Sequence, residues 1–198
     1  FKIINEISQM QANYIKHQGE QHFQFWAKFA KDDEKNYHPL IWHMLDSAAV
    51  AKTLWEDLLS TAFKQSLSDK FKFPIDELGK LLAFWISLHD IGKASPEFQK
   101  KNTFLKNILE ANGFDFPKLN TKVEGFHGTG TALILRRIFP HEMPGAPPKF
   151  LFDLASTLGG HHGEFPSDNL LTKYDSEKFH MGGSAWQAIQ DTIFFELA

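Results

Sequence analysis

His89 and Asp90 are neighbours in the chain, and Gly92-Lys93 follow them. An imidazole beside a carboxylate suits metal binding, and a lysine a few residues on is a natural partner for a phosphate oxygen. Alone, the dipeptide is also what a helix-end histidine with a capping aspartate looks like. Its context is what matters. Leu78, Leu81, Leu82, Trp85, Ile86 and His89 recur at helical spacing, which predicts an amphipathic helix whose buried face carries His89. Gly92 and Pro96 end it. Burying imidazole and carboxylate together costs free energy unless they are paired or hold a metal.

His161-His162 repeats the pattern. Leu151, Leu154, Ala155 and Leu158 form a helical stripe, and the same count runs into Gly159-Gly160-His161-His162-Gly163. Adjacent helical residues diverge by about 100°, so both rings meet one ion only where the helix ends, and the glycines supply that end. His127 sits in Gly125-Phe126-His127-Gly128-Thr129, just before a helical pattern, and His43 opens the helix that runs on through Leu45 and Ala48. The set His43, His89, Asp90, His127, His161 and His162 therefore places metal-ligating side chains at the ends of apolar helices. Such ends can converge on one cavity of a bundle. His17, His22, His141 and His180 lie among polar or loop residues. His38 precedes Pro39 and lies close enough in sequence to His43 to support it.

The elements that must position these residues read mainly as helices. Stripes predict helices through Ile3, Ile7, Met10 and Tyr14; through Phe23, Trp26, Ala27 and Ala30; and from about Ile41 to Leu59, with Leu45, Ala48, Ala49, Leu54, Trp55 and Leu58 inward. Further helices are expected from about Thr129 to Phe139, through Leu151 to Leu158, and through Trp186, Ile189, Ile193 and Leu197. Asn36–Leu40, the prolines from Pro140 to Pro148, Asn112–Glu124 and Phe165–Gly183 read as loops. Strand signals are sparse, so the expected fold class is all-α, a globular helical bundle.

Composition narrows the function. The chain has 198 residues, 42% hydrophobic and 14% aromatic, which suffices for one domain with its own core. It has no cysteine, so thiolate nucleophiles, disulfides and Cys-ligated zinc are excluded. Its ten histidines are the excess. Imidazole with carboxylate suits Mn, Fe, Co, Ni and Zn. The formal charge of −3 is not that of a nucleic-acid coat protein, so any nucleic acid is held by a local patch, by metal ions or by another domain. No apolar run approaches the roughly 20 residues of a membrane span, which fits a cytoplasmic protein. P-loop, His-Glu-x-x-His and G-x-S-x-G motifs are absent. The chain begins at Phe1 and ends within a helical pattern at Ala198, as expected of a fragment of something longer.

The ordered series His, His-Asp, His, His-His resembles the HD superfamily of metal-dependent phosphohydrolases. The stretch from His38 through His43-Met44-Leu45-Asp46-Ser47 to Ala51, the block His89-Asp90-Ile91-Gly92-Lys93-Ala94-Ser95-Pro96-Glu97-Phe98-Gln99, the block Phe126-His127-Gly128 and the block Gly159 to Pro166 are similar to the nuclease domain of the CRISPR-associated helicase-nuclease of type I systems, with type I-E flavour. The resemblance implies an HD domain over 1–198, an N-terminal portion of a protein whose helicase part is absent here. It implies two divalent transition-metal ions, with His43, His89 and Asp90 on the first and a bridging Asp90 joined by His127, His161 and His162 on the second. It places Lys93 on the phosphate or the leaving oxygen. One further aspartate on the first ion is expected beyond Ala198, rather than Asp168, Asp175 or Asp191. The implied reaction is endo- and exonucleolytic cleavage of single-stranded DNA during CRISPR interference. The implied partners are an RNA-guided surveillance complex and the helicase of the same protein. Two other readings share the residues: an HD phosphohydrolase acting on free nucleotides, and an inactive docking or DNA-binding module.

Overall fold

A computed structural model describes residues 21–118, 127–176 and 181–198. The helix expected through Ile3, Ile7, Met10 and Tyr14 lies outside them. After a short 3-10 turn, Gln21–Gln24, two antiparallel strands form a hairpin: β1 (Trp26–Ala30) and β2 (Asp33–Pro39). Helices follow: α1 (Leu40–Thr53), α2 (Thr61–Phe71), α3 (Ile75–Ser87), α4 (Pro96–Gln99), α5 (Thr103–Ala111), α6 (His127–Glu142), α7 (Pro148–Gly159), α8 (Asp168–Ser176) and α9 (Ser184–Leu197). The all-α bundle is the architecture, with the hairpin on its flank.

The hairpin corrects two expectations. Phe23, Trp26, Ala27 and Ala30 have helical spacing, yet the chain there is extended, and Asn36–Pro39 is strand rather than loop. The cause is tertiary. The Trp26 backbone N–H donates to Gln99 Oε1 (3.2 Å) and its indole N–H to the Gln99 carbonyl (3.3 Å). The Trp26 ring also packs on Phe98 at 4.3 Å. Aromatic residues fit a half-buried ribbon, and Gln99 satisfies the backbone that the ribbon presents to it.

α1 runs into a π-helical turn, Leu54–Leu58. The wider turn changes the facing of the last residues. Trp55 goes inward against Gly79 of α3, while Leu54 and Leu58, expected inward, are 45% and 71% exposed. The α3 stripe is likewise rotated. Its buried face is Leu78, Gly79, Ala83, Phe84 and Ser87, and Ile86 is 42% exposed. Small residues let α3 lie close on α1, so the larger Leu81, Leu82 and Trp85 sit at the margin. α2 and α5 were not among the expected helices; they are started by Ser60 and Asn102, whose side chains accept from Phe63 N–H and Leu105 N–H. α8 falls within the expected Phe165–Gly183 loop because Leu171 and Tyr174 pack inward. Pro140 lies inside the last turn of α6, where its missing N–H leaves the Arg136 carbonyl without its usual helical donor.

α3 stops at Ser87, and Leu88–Lys93 forms a 3-10 turn. This turn is wedged against α6. A Cβ at Gly92 would collide with the His127 carbonyl and the Thr131 backbone, so only glycine permits the approach. Thr131 closes the contact: its hydroxyl accepts from Gly92 N–H (3.0 Å) and donates to the His89 carbonyl (2.9 Å). Gln190 of α9 donates to the Ala94 carbonyl (2.9 Å), and Gln99 to the Lys93 carbonyl (2.8 Å). Elsewhere the core is apolar, with Leu40, Met44, Leu88, Ile91, Leu135, Phe139 and Ile193 in one cluster.

Thr131→Val keeps the shape of the side chain and strands a buried donor and a buried acceptor. Urea denaturation should show a loss of about 2 kcal/mol. Stability equal to that of the unsubstituted chain would show that the hydroxyl does not hold the turn.

Candidate metal centre

Four elements end at one place. α1 brings His43 in its first turn, the 3-10 turn brings His89 and Asp90, α6 begins at His127, and His161-His162 follow the last residue of α7. α6 and α7 meet glycine to glycine: a Cβ at Gly128 would collide with the Gly159 carbonyl, and one at Gly159 with that of Gly128. This crossing is what sets the start of α6 beside the end of α7.

Helix ends also settle which nitrogen of two rings carries a proton. The last carbonyls of a helix lack internal partners. The Ile86 carbonyl, at the end of α3, lies 2.9 Å from His89 Nδ1, and the Leu158 carbonyl, at the end of α7, lies 2.9 Å from His161 Nδ1. A carbonyl only accepts, so Nδ1 donates in both rings, and in the neutral ring Nε2 is left with a lone pair. Fixing a ring through its other nitrogen is the usual support of a metal-ligating histidine.

Those Nε2 atoms point at Asp90. Its Oδ2 lies 2.8 Å from His43 Nε2, 3.1 Å from His89 Nε2 and 2.8 Å from Lys93 Nζ. Its Oδ1 lies 3.1 Å from His127 Nε2 and 3.3 Å from His161 Nε2, yet makes no well-aligned hydrogen bond. His127 Nε2 is in turn 2.9 Å from His162 Nε2 and 3.3 Å from His161 Nε2. Lone pairs so close repel unless a positive centre lies among them. Donors about 2.1 Å from one ion at tetrahedral or octahedral angles sit roughly 3.0–3.4 Å apart, which is the spacing found. Two groups of potential ligands result, His43-His89-Asp90 and His127-His161-His162, each within 4.8 Å.

Burial pushes the Asp90 carboxyl up, but the imidazoles of His127, His161, His43 and His89 around it outweigh that and hold the group well below the usual carboxylate range. For His161, burial lowers the pKa, and the pairing with Asp90 raises it further than that, leaving the ring more basic than usual. The exposed His162 is lowered, by its slight burial and by His161 and His127 beside it.

The structure thus brings His43, His89, Asp90, His127, His161 and His162 together. Lys93 is nearby and faces Asp90. It is 7% exposed, paired with Asp90, within 3.5 Å of the Ala27 carbonyl and 5.3 Å from the Phe98 ring. In a 3-10 turn residues three apart lie on one face, so Lys93 is turned back onto Asp90. Asp168 pairs with Arg136 and Asp191 with Arg137; neither joins the ligands, and nor does Asp175. His38 sits 3.1 Å from Asp46 and shares a cavity with His43. Thr131, Gln99 and the Gly128–Gly159 crossing escaped sequence reading. Only the adjacency of the glycines to His127 and His161 hinted at them.

Two cavities flank the centre. One of about 620 Å³ reaches His43, His89 and His161 between α1 and α7, with Lys28 and His38 on its rim. The other, about 370 Å³, reaches His127 and His162 beside Glu164 and Phe165.

Comparison with known proteins agrees with this geometry. The family model "Cas3, HD domain" matches residues 26–198. The CRISPR-associated endonuclease/helicase Cas3 of Thermus thermophilus is 35% identical over 143 residues, covering 72% of this chain and 14% of that protein. A chain in a CRISPR RNA-guided surveillance complex, pre-nicking, superposes with TM-score 0.69 at 27% identity over 88% of this chain and 20% of its own. The Thermus thermophilus Cas3 HD domain solved in the presence of Ni²⁺ superposes with TM-score 0.63 at 25% identity, over 88% of this chain and 63% of that one. The chain therefore spans under a fifth of the full-length relative.

The pairing with Asp90 makes His161 hold a proton more readily than a free imidazole, and metal uptake must displace it. Titration with Mn²⁺ or Ni²⁺ should therefore release protons, seen calorimetrically as heats that change with the ionisation enthalpy of the buffer. Asp90→Ala should retain helical circular dichroism and bind no metal above background. Full metal content in that variant would remove Asp90 from the centre.

Proposed function

The chain belongs to the Cas3 HD-domain family, and on that premise we propose that it is the metal-dependent nuclease unit of a CRISPR-associated helicase-nuclease, acting on single-stranded DNA. One observation carries the proposal: the two oxygens of Asp90 face two separate sets of imidazoles, the arrangement of a carboxylate that bridges two ions. On this reading His43, His89 and Asp90 hold the first ion, and Asp90, His127, His161 and His162 the second. Imidazoles with one shared carboxylate favour Mn, Fe, Co or Ni. Two bound ions supply Lewis acidity to both sides of a scissile phosphate.

The chain's own residues supply position. Nδ1–H bonds aim His89 and His161. Lys93 is a positioning residue on this reading rather than a phosphate contact, because its ammonium neutralises and orients Asp90 from the buried side. Lys28 offers a cation on the rim of the larger cavity, and His38, held by Asp46, stands beside it.

The two flanking cavities favour a strand over a free nucleotide, since a chain can approach on one side of the metal centre and leave on the other. The −3 charge fits a division of labour in which the metal ions bind phosphate and a helicase delivers the strand. An RNA-guided surveillance complex would recruit it, in the cytoplasm. Among the described residues no helix is long and apolar enough to cross a membrane.

Circular single-stranded DNA tests the reading. The Mn²⁺- or Ni²⁺-loaded chain should open the circle and then shorten it, and EDTA should stop it. Hydrolysis of free nucleotides with the circle left intact would select the nucleotidase, and metal binding with no hydrolysis would select the docking module. Lys93→Met should lower metal affinity by about 10–100-fold, as loss of an outer support does. Unchanged affinity with slower cleavage would instead return Lys93 to the phosphate.

A further inference from the structure

The smaller cavity contains a residue that the nuclease reading has not used. Phe165 is 66% exposed and lines this cavity beside His127 and His162. The ring is nonetheless well positioned. Gly163 has φ +88, and its N–H donates to the Gly160 carbonyl at 2.8 Å, so the chain doubles back directly after His162. Phe165 then lies on Gly160, where a Cβ would collide with the ring. One face is held against backbone, and no described ring stacks on the other. The neighbours of that backbone are His161 and His162.

The other cavity residues say what the open face receives. His127 and His162 line one side, Pro166 and Leu170 add apolar surface, and among the described residues Glu164 is the ionisable group besides the histidines. Among the described residues no lysine or arginine lines it. Away from the histidines, a phosphate would meet the Glu164 carboxylate. A nucleobase has the apolar faces and edge donors that suit a ring beside a carboxylate, and stacking on an aromatic side chain is how single strands are held without regard to sequence.

We propose that Phe165 is the stacking platform for the nucleobase adjacent to the scissile phosphate, with Gly160 shaped to hold the ring flat. The base enters between Phe165 and Pro166, and its stacking sets how the strand lies across Asp90. This assignment rests on the single-stranded DNA reading above and adds the place where one base binds.

The experiment uses the Mn²⁺-loaded chain and a single-stranded oligonucleotide containing 2-aminopurine, with fluorescence read by stopped flow before cleavage and KM and kcat measured on the same strand. Phe165→Ala should abolish the fluorescence change and raise KM about fivefold or more at the metal content of the unsubstituted chain. Phe165→Trp should restore both. Phe165→Leu, which keeps apolar bulk without a π-face, should behave like Phe165→Ala. A Phe165→Ala chain with the original KM and the original fluorescence change overturns the platform and leaves the nuclease reading standing. Fluorescence change without cleavage in the unsubstituted chain overturns the nuclease reading and leaves the platform. A chain that neither binds nor cuts the strand overturns both.

Discussion

Asp90 keeps a negative charge at 3% exposure, which is tolerable only because its carboxylate is surrounded by nitrogens. Removing a carboxylate from water costs several kcal/mol even after relaxation. Lys93 offsets part of that from the buried side, and His43, His89, His127 and His161 surround the rest. With the imidazoles removed, one ammonium would have to balance a charge whose second oxygen it does not touch. The site is thus a stability problem as well as a chemical one, and a positive centre between Oδ1 and the Nε2 atoms solves both.

That arrangement depends on how close three stretches of backbone can come. Helices normally pack 8–10 Å apart. A carboxylate that must touch both the start of one helix and the end of another needs a closer approach, and Gly92, Gly128 and Gly159 allow it. The position of each histidine follows. His127 opens α6 and turns its Nε2 onto Asp90 Oδ1. His89 and His161, just past helix ends, find free carbonyls that fix their rings.

Legibility in the sequence divides along the same line. The ligand residues were readable because they combine rare chemistry with recognisable spacing, and the helices α1, α3, α6, α7 and α9 because their apolar stripes are long. The hairpin was not, since Trp26 and Ala27 also fit a helix and only Gln99, distant in sequence, decides between the two. The facing of α3 was misjudged because large residues mark a stripe more visibly than Gly79 and Ala83, which make the tight contact. The pairing of Lys93 with Asp90 was not legible, because a lysine after His-Asp reads the same whether it points outward or, through a 3-10 turn, back onto Asp90. Long-range partners decide each of these, and local pattern contains no record of them.

The burial of Lys93 has a consequence for how such a centre meets an anion. With Lys93 spent on Asp90, the cation on the rim of the larger cavity is Lys28, and the smaller cavity carries Glu164. The protein itself offers a polyanion little attraction, in keeping with its −3 charge. Coulomb attraction between opposite charges at contact is worth far more in a partly enclosed site than in water, so on the proposed nuclease reading ions held at Asp90 would dominate phosphate affinity. Substrate binding and metal binding would then be coupled. A chain without metal would hold its strand poorly, and orientation would fall to contacts that do not depend on charge, which is the role an aromatic face beside those histidines can fill.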